Sequence, residues 1–309
     1  MTALLKVVCV LTAALYAQHA SAEVRWDDTC QVLTEGTGLT FDQATAKLLD
    51  EGIDMANNAM HAIQNPNQND KWEWFRVFYP FEKLFGKSDK AYGQVMDNLR
   101  RITQVRTWEE NIYIICNDEG LVYPQGNGKV RRLKATGNTI VYTGEMANTL
   151  GDCGPGNPTP GVWAPAGYGF KVPVEVENWE YVVLCTKTFR RRFLSDWHPV
   201  EAIGIDNYYS NGGTLFHELM HRGPNAKGEV QNLQGADENY TWNNCIKHPD
   251  TGSRNPESVA LIAVAISRPD WIFYDDNGRA ATREVVWREL SSSAEGQNTI
   301  RTYGLTEPH

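Results

Sequence analysis

Within residues 212–224, GGTLFHELMHRGP, two histidines stand four positions apart around a glutamate, on an apolar stretch with glycines at its entry and Gly-Pro at its exit. If this stretch is a helix, residues four apart share one face, with Cβ atoms about 5–6 Å apart. That spacing lets His217 and His221 reach the same tetrahedral Zn²⁺ through imidazole nitrogens at ~2.0–2.1 Å. Glu218 sits beside them, angled to meet a water rather than the ion. Zinc lowers the pKa of such a water towards ~7, and the carboxylate can then take its proton. Phe216 with Met220, and Leu215 with Leu219, form apolar i, i+4 pairs that give the helix flanks to bury. An ordinary helix whose histidines are satisfied surface groups is the competing reading of the same string.

A catalytic zinc takes three protein ligands and one water. The metzincin continuation is absent, since Pro224 stands where its glycine belongs and Lys227 where its third histidine belongs. Downstream donors are Glu229, Asp237, Glu238, His248 and Glu257. Nothing places His248 on the same helix face, so it reads as a surface or capping histidine.

The chain opens with MTALLKVVCVLTAALYAQHASA, in which Lys6 is the only charge and Ala20-Ser21-Ala22 has the small-x-small pattern of a cleavage site. This is the pattern of a secretory signal peptide over residues 1–22, removed after Ala22. An anchoring helix needs about 20 apolar residues, and Gln18 and His19 interrupt this one. The longest later apolar run, VALIAVAI at 259–266, is too short to span a bilayer and reads as a core helix. The expectation is a secreted, extracellular protein, and the chain is read as a monomer. A net charge of −9 argues against nucleic acid or an anionic membrane as partner. Of the 6 cysteines, Cys9 belongs to the signal segment, leaving Cys30, Cys116, Cys153, Cys185 and Cys245. An oxidising compartment predicts two disulfides and one thiol left over, with the pairing open. No C-x-x-C pair offers a cysteine-built zinc site. Asn239-Tyr240-Thr241 is an N-glycosylation sequon.

Helical periodicity runs through 40–63, with Ala44, Leu48, Ile53, Ala56, Met60 and Ile63 on one side and Thr40 or Asp42 able to cap the start. NPNQND at 65–70 breaks that helix. The aromatic block KWEWFRVFYPFEKLFG reads as core. Residues 88–106 form another amphipathic helix, with Val95, Leu99 and Ile102 together. NIYIICND at 111–118, NTIVYTG at 138–144 and EYVVLCTKTF at 180–189 have the length and β-branched, aromatic character of strands. Gly and Pro dominate 151–168, a surface loop. Helices follow at HELMH and at 256–267, with a loop over 223–236 between them. Arg100-Arg101 and Arg190-Arg191-Arg192 read as solvated basic runs. Helices, then strands, then helices indicate an α+β fold with segregated layers. The pattern predicts one domain over 23–309: a helical part at about 40–106, strands and the HELMH helix at about 110–268, and a C-terminal tail at 269–309.

With these residues in view, the chain resembles the aspzincins, the deuterolysin-like and lysine-specific-type zinc metalloendopeptidases. Their pattern is H-E-x-x-H followed by G-T-x-x-D-x-x-Y-G. Here QGADENYTWNNC supplies Asp237-x-x-Tyr240, with Cys245 shortly after. YVVLCTKTF is similar to the family's strand ahead of the active-site helix, and NPESVALIAVAI to its later segment N-A-D-S-Y-A-x-x-A. Leu233-Gln234 stands in place of the Gly-Thr, and Thr241 in place of the glycine after tyrosine. The resemblance spans roughly 110–268. It implies a zincin-like α+β fold with a helical N-terminal half, a small antiparallel or mixed sheet and the H-E-x-x-H helix. It further implies one Zn²⁺ held by His217, His221 and Asp237, with Glu238 in reserve. Glu218 would be general base and Tyr240 a donor to the reaction intermediate, acting on protein or peptide substrates. The alternative expectation is a secreted zinc-binding or surface-interaction protein on the same scaffold with little catalysis.

Overall fold

The computed structural model describes residues 23–108, 111–116, 122–125, 128–132, 139–143, 167–171, 179–185, 193–208, 210–222 and 239–308. Residues 1–22, expected to be a signal peptide, most of the 151–168 loop, the 190–192 arginines and the 223–236 loop lie outside these residues.

The chain is α+β. Strand β1 (Val24–Trp26) comes before the described helices and pairs in parallel with β2 (Asn111–Ile115). Three helices are threaded between them: α1 (Phe41–Gln64), α2 (Lys71–Phe85) and α3 (Asp89–Thr103). A parallel pair requires such a crossover, so the helical part is inserted into the sheet rather than set ahead of it. The layers are therefore less segregated than the element order predicts. Next come β3 (Val122–Gln125), β4 (Gly128–Arg132) and β5 (Thr139–Thr143), a separate antiparallel sheet. Strands β6 (Gly167–Lys171) and β7 (Trp179–Leu184) complete the main sheet, which is mixed and ordered β1-β2-β7-β6. Only the β6–β7 pair in it is antiparallel, with Phe170 opposite Tyr181.

Local chemistry starts each N-terminal helix. Thr40 and Gln43 form a reciprocal capping box on α1. Asp70 accepts the Trp72 and Glu73 amides of α2, and Ser88 accepts that of Ala91 in α3. On α1, Ala44, Leu48, Ala56 and Ile63 are buried as the periodicity predicts, together with Leu49, Met55 and Ala59, whereas Ile53 and Met60 reach only the edge of the core. The aromatic block is the core helix α2, with Phe75, Phe81 and Phe85 buried and Pro80 inside it.

Helix α4 (Asn211–Met220) carries the H-E-x-x-H string and packs against α1, α3, α7 (Pro256–Ile266), β6 and β7. Two short helices, α5 (Trp242–Cys245) and α6 (Pro249–Gly252), lead into α7. The stretch 269–309, read as a tail, folds. A hairpin of β8 (Ile272–Tyr274) and β9 (Arg279–Ala281) leads into α8 (Arg283–Ser291) and α9 (Ala294–Tyr303). Trp72 and Phe75 of α2 provide the apolar surface that orders it, in a cluster with Ile272, Tyr274, Val286 and Leu305.

A disulfide joins Cys30 to Cys116 across 86 residues, fastening the turn after β1 to the end of β2. Closing a loop of that size in the unfolded chain is worth about 4.6 kcal/mol in the chain-entropy account. Cys185 is also disulfide-bonded, to a partner outside the described residues, and Cys245 is a buried free thiol. No described helix is long and apolar enough to cross a membrane.

Gly252 of α6 lies against α2 so closely that a Cβ would stand 1.9 Å from the Leu84 carbonyl oxygen. Backbone cannot yield as a side chain can. Gly252→Ala is therefore expected to destabilise the fold by about 1–3 kcal/mol or more, read as a lower urea midpoint; an unchanged midpoint would contradict this packing.

Candidate metal centre

Every residue of α4 is buried, so no face of the helix is left to solvent. Its apolar flanks follow the predicted pairing, with Leu215, Phe216, Leu219 and Met220 inaccessible. The Ser210 hydroxyl caps the start by accepting the Gly213 amide. Close by, the Glu51 carboxylate accepts the Leu194 and Ser195 amides at 2.6 and 3.2 Å, and a Cβ on Gly212 would meet it at 3.0 Å. Burial raises the Glu51 pKa, and those amides oppose the rise.

The helix ends at Met220, and His221 is its C-cap residue. The two imidazoles converge, with Nε2 of His217 and Nε2 of His221 3.3 Å apart and ring centroids 5.1 Å apart. Two zinc–nitrogen bonds of ~2.0–2.1 Å at a tetrahedral angle put their nitrogens about 3.3–3.4 Å apart. The pair therefore has the spacing that one tetrahedral ion requires. The other nitrogen of His217, Nδ1, lies 3.0 Å from Oε2 of Glu257, on the first turn of α7. His217, Glu218 and Glu257 are all buried.

Arg222 accompanies Glu218. Burial lowers the Arg222 pKa, and the nearby carboxylates of Glu218 and Glu180 oppose that fall. Arg101, read from the sequence as part of a solvated run, is half-buried and donates to the Met220 carbonyl at 2.6 Å. Burial takes its pKa down to about 10 against the pull of Glu180. Its helix turns it towards the end of α4, which a run of two basic residues does not reveal.

Tyr240 is 51% exposed, and its ring stacks over His217 with centroids 6.0 Å apart and planes within 22°. The strand of chain that carries it is fastened from α7. The Asn255 amide donates to the Asn239 carbonyl at 2.8 Å, while Asn255 Oδ1 caps the Glu257 amide. The Cys245 thiol donates to the same Asn239 carbonyl at 3.1 Å. His248 is exposed at the N-cap position of α6 and makes no side-chain cap, in keeping with a surface histidine.

Asp237, its reserve Glu238, and Glu229 lie outside the described residues. Among the described residues, no group of three or more His, Cys, Asp or Glu side chains is placed to hold a metal. The structure thus brings together His217, His221 and Tyr240, with Glu218 buried on the same helix. Glu257, one of the downstream donors, is set on the far nitrogen of His217 instead of beside the converging Nε2 atoms. Comparison with protein-family models, curated proteins and solved structures found no match.

Thr241, next to Tyr240, has φ 71° and ψ 149°. This is backbone that glycine adopts readily and a β-branched residue adopts only under strain. Thr241→Gly is expected to raise stability by about 1 kcal/mol or more, measured by urea unfolding; a loss of stability would argue against this backbone.

Behind Glu257, the Asp206 carboxylate accepts the Trp242 amide at 2.8 and 3.0 Å. Burial, with some help from Glu257, raises the Asp206 pKa from 3.8 to about 6, and the Trp242 amide opposes the rise. The folded protein holds this proton more tightly than the unfolded chain. Stability is therefore lost as pH rises from about 4 through about 6. Asp206→Asn keeps an acceptor for the amide and removes the titration. Unfolding at pH 4 and pH 7 should show the wild type losing on the order of 1–2 kcal/mol relative to this variant, and parallel behaviour would rule the shift out.

Proposed function

We propose that the protein is a secreted zinc metalloendopeptidase of the aspzincin type, acting on protein or peptide substrates. The observation that supports this most is the 3.3 Å separation of the two Nε2 atoms on an enclosed helix. His217 and His221 hold the ion together with Asp237, whose part rests on the resemblance. When bound, Zn²⁺ supplies Lewis acidity towards water and the scissile carbonyl.

The protein's own groups do the proton work. Glu218, buried beside the pair and accompanied by Arg222, takes the proton of the attacking water and hands it to the departing amine. Tyr240 stands half in solvent over His217, where a substrate chain can approach, and its phenol donates to the developing oxyanion. Thr241 supports the alignment that puts Tyr240 on the motif tyrosine. Its φ of 71° is a glycine-like conformation at the position where the family pattern carries glycine. The leader and the disulfide-bonded Cys30, Cys116 and Cys185 favour an oxidising, extracellular location.

The test is casein or peptide hydrolysis by the purified protein, with and without a zinc chelator. Activity should vanish with the chelator, and Glu218→Gln should lower kcat by ~10²–10⁴-fold with zinc content unchanged. A fully active Glu218→Gln protein overturns the assignment. Stoichiometric zinc without turnover turns it towards a zinc-binding protein on the same scaffold.

A further inference from the structure

We infer that Glu257 is the positioning residue of the metal centre: it accepts the Nδ1–H of His217 and so turns the Nε2 lone pair towards His221. This rests on the zinc reading above.

A neutral imidazole carries one N–H and one lone pair, and the hydrogen bond at one nitrogen decides which is which. Glu257 is a carboxylate, so at 3.0 Å from Nδ1 it leaves His217 only the donor role there. The metal-facing nitrogen is then Nε2, the atom 3.3 Å from its counterpart on His221. Carboxylate–histidine pairs of this kind fix ring orientation and raise the basicity of the ligand.

The surroundings hold the carboxylate in place. Asn255 caps α7 through the Glu257 amide, and Pro256 occupies the first helical position. Glu257 therefore sits in the first turn, where peptide dipoles favour a negative side chain. Its side chain is only 5% exposed, as expected of a group whose task is internal. Through Asn255, the segment bearing Tyr240 is tied to the same helix start, so one short stretch, Asn255-Pro256-Glu257, sets two parts of the site. Glu257 touches neither substrate nor the reacting atoms in this arrangement; it acts through His217.

The experiment measures zinc affinity by competition with a chromophoric chelator, for wild type, Glu257→Ala and Glu257→Gln, with circular dichroism as a check on folding. Removing such a partner typically weakens metal binding by about 10–100-fold. Glu257→Ala should show that loss. Glu257→Gln, which keeps an acceptor oxygen without the charge, should recover part of it. In zinc-free wild type, ¹⁵N NMR of His217 should report the Nδ1–H tautomer, a readout independent of whether either variant folds. Wild-type affinity retained in a folded Glu257→Ala protein, or an Nε2–H tautomer in the wild type, overturns this inference alone. A wild type that binds no zinc overturns the proposed function and this inference together.

Discussion

The enclosure of helix α4 is the constraint on which the rest of the molecule depends. A helix buried on every side must find apolar surface all round and a partner for each polar group it takes inside. Apolar residues of α1, α7 and β7 provide the surface. The cost of taking His217 and Glu218 inside is offset by one distant group and one near neighbour. Glu257 from α7 meets His217, and Arg222, just beyond the helix, lies close to Glu218.

This enclosure also explains the insertion of three helices between β1 and β2. The crossover carries α1 and α3 onto the helix that holds the histidines, while β7, the neighbour of β2, supports it from the sheet. The Cys30–Cys116 disulfide closes the two ends of that crossover. Helices and strands thus pack around the helix bearing the imidazoles, and Tyr240, on the irregular segment before α5, is exposed beside His217. A close pair of imidazoles with a solvent-side aromatic is the arrangement on which the proposed zinc peptidase reading rests.

Much of this was legible in the sequence because it depends on near neighbours. Thr40 announces its helix through a hydrogen bond spanning three residues. Convergence of His217 and His221 follows from helical spacing. Strand β1 was not legible, since three residues carry no detectable alternation, and the C-terminal hairpin and helices depend on apolar surface from α2. Arg101 resembled any surface arginine, because its burial is decided by where α3 meets α4. Glu257 could be noted as a donor but not assigned to a particular nitrogen, 40 residues away.

By itself, then, the sequence determined the α+β class, the helix bearing the histidines and the chemistry that two imidazoles and a carboxylate permit. Those properties come from composition and from interactions within a few residues. Only the tertiary structure decided which thiol remains free, which carboxylate meets His217 Nδ1, and that Arg101 meets the end of α4. Each of these depends on the docking of elements far apart in the chain. Local spacing cannot encode that, because many partners of equal chemistry compete until packing selects one.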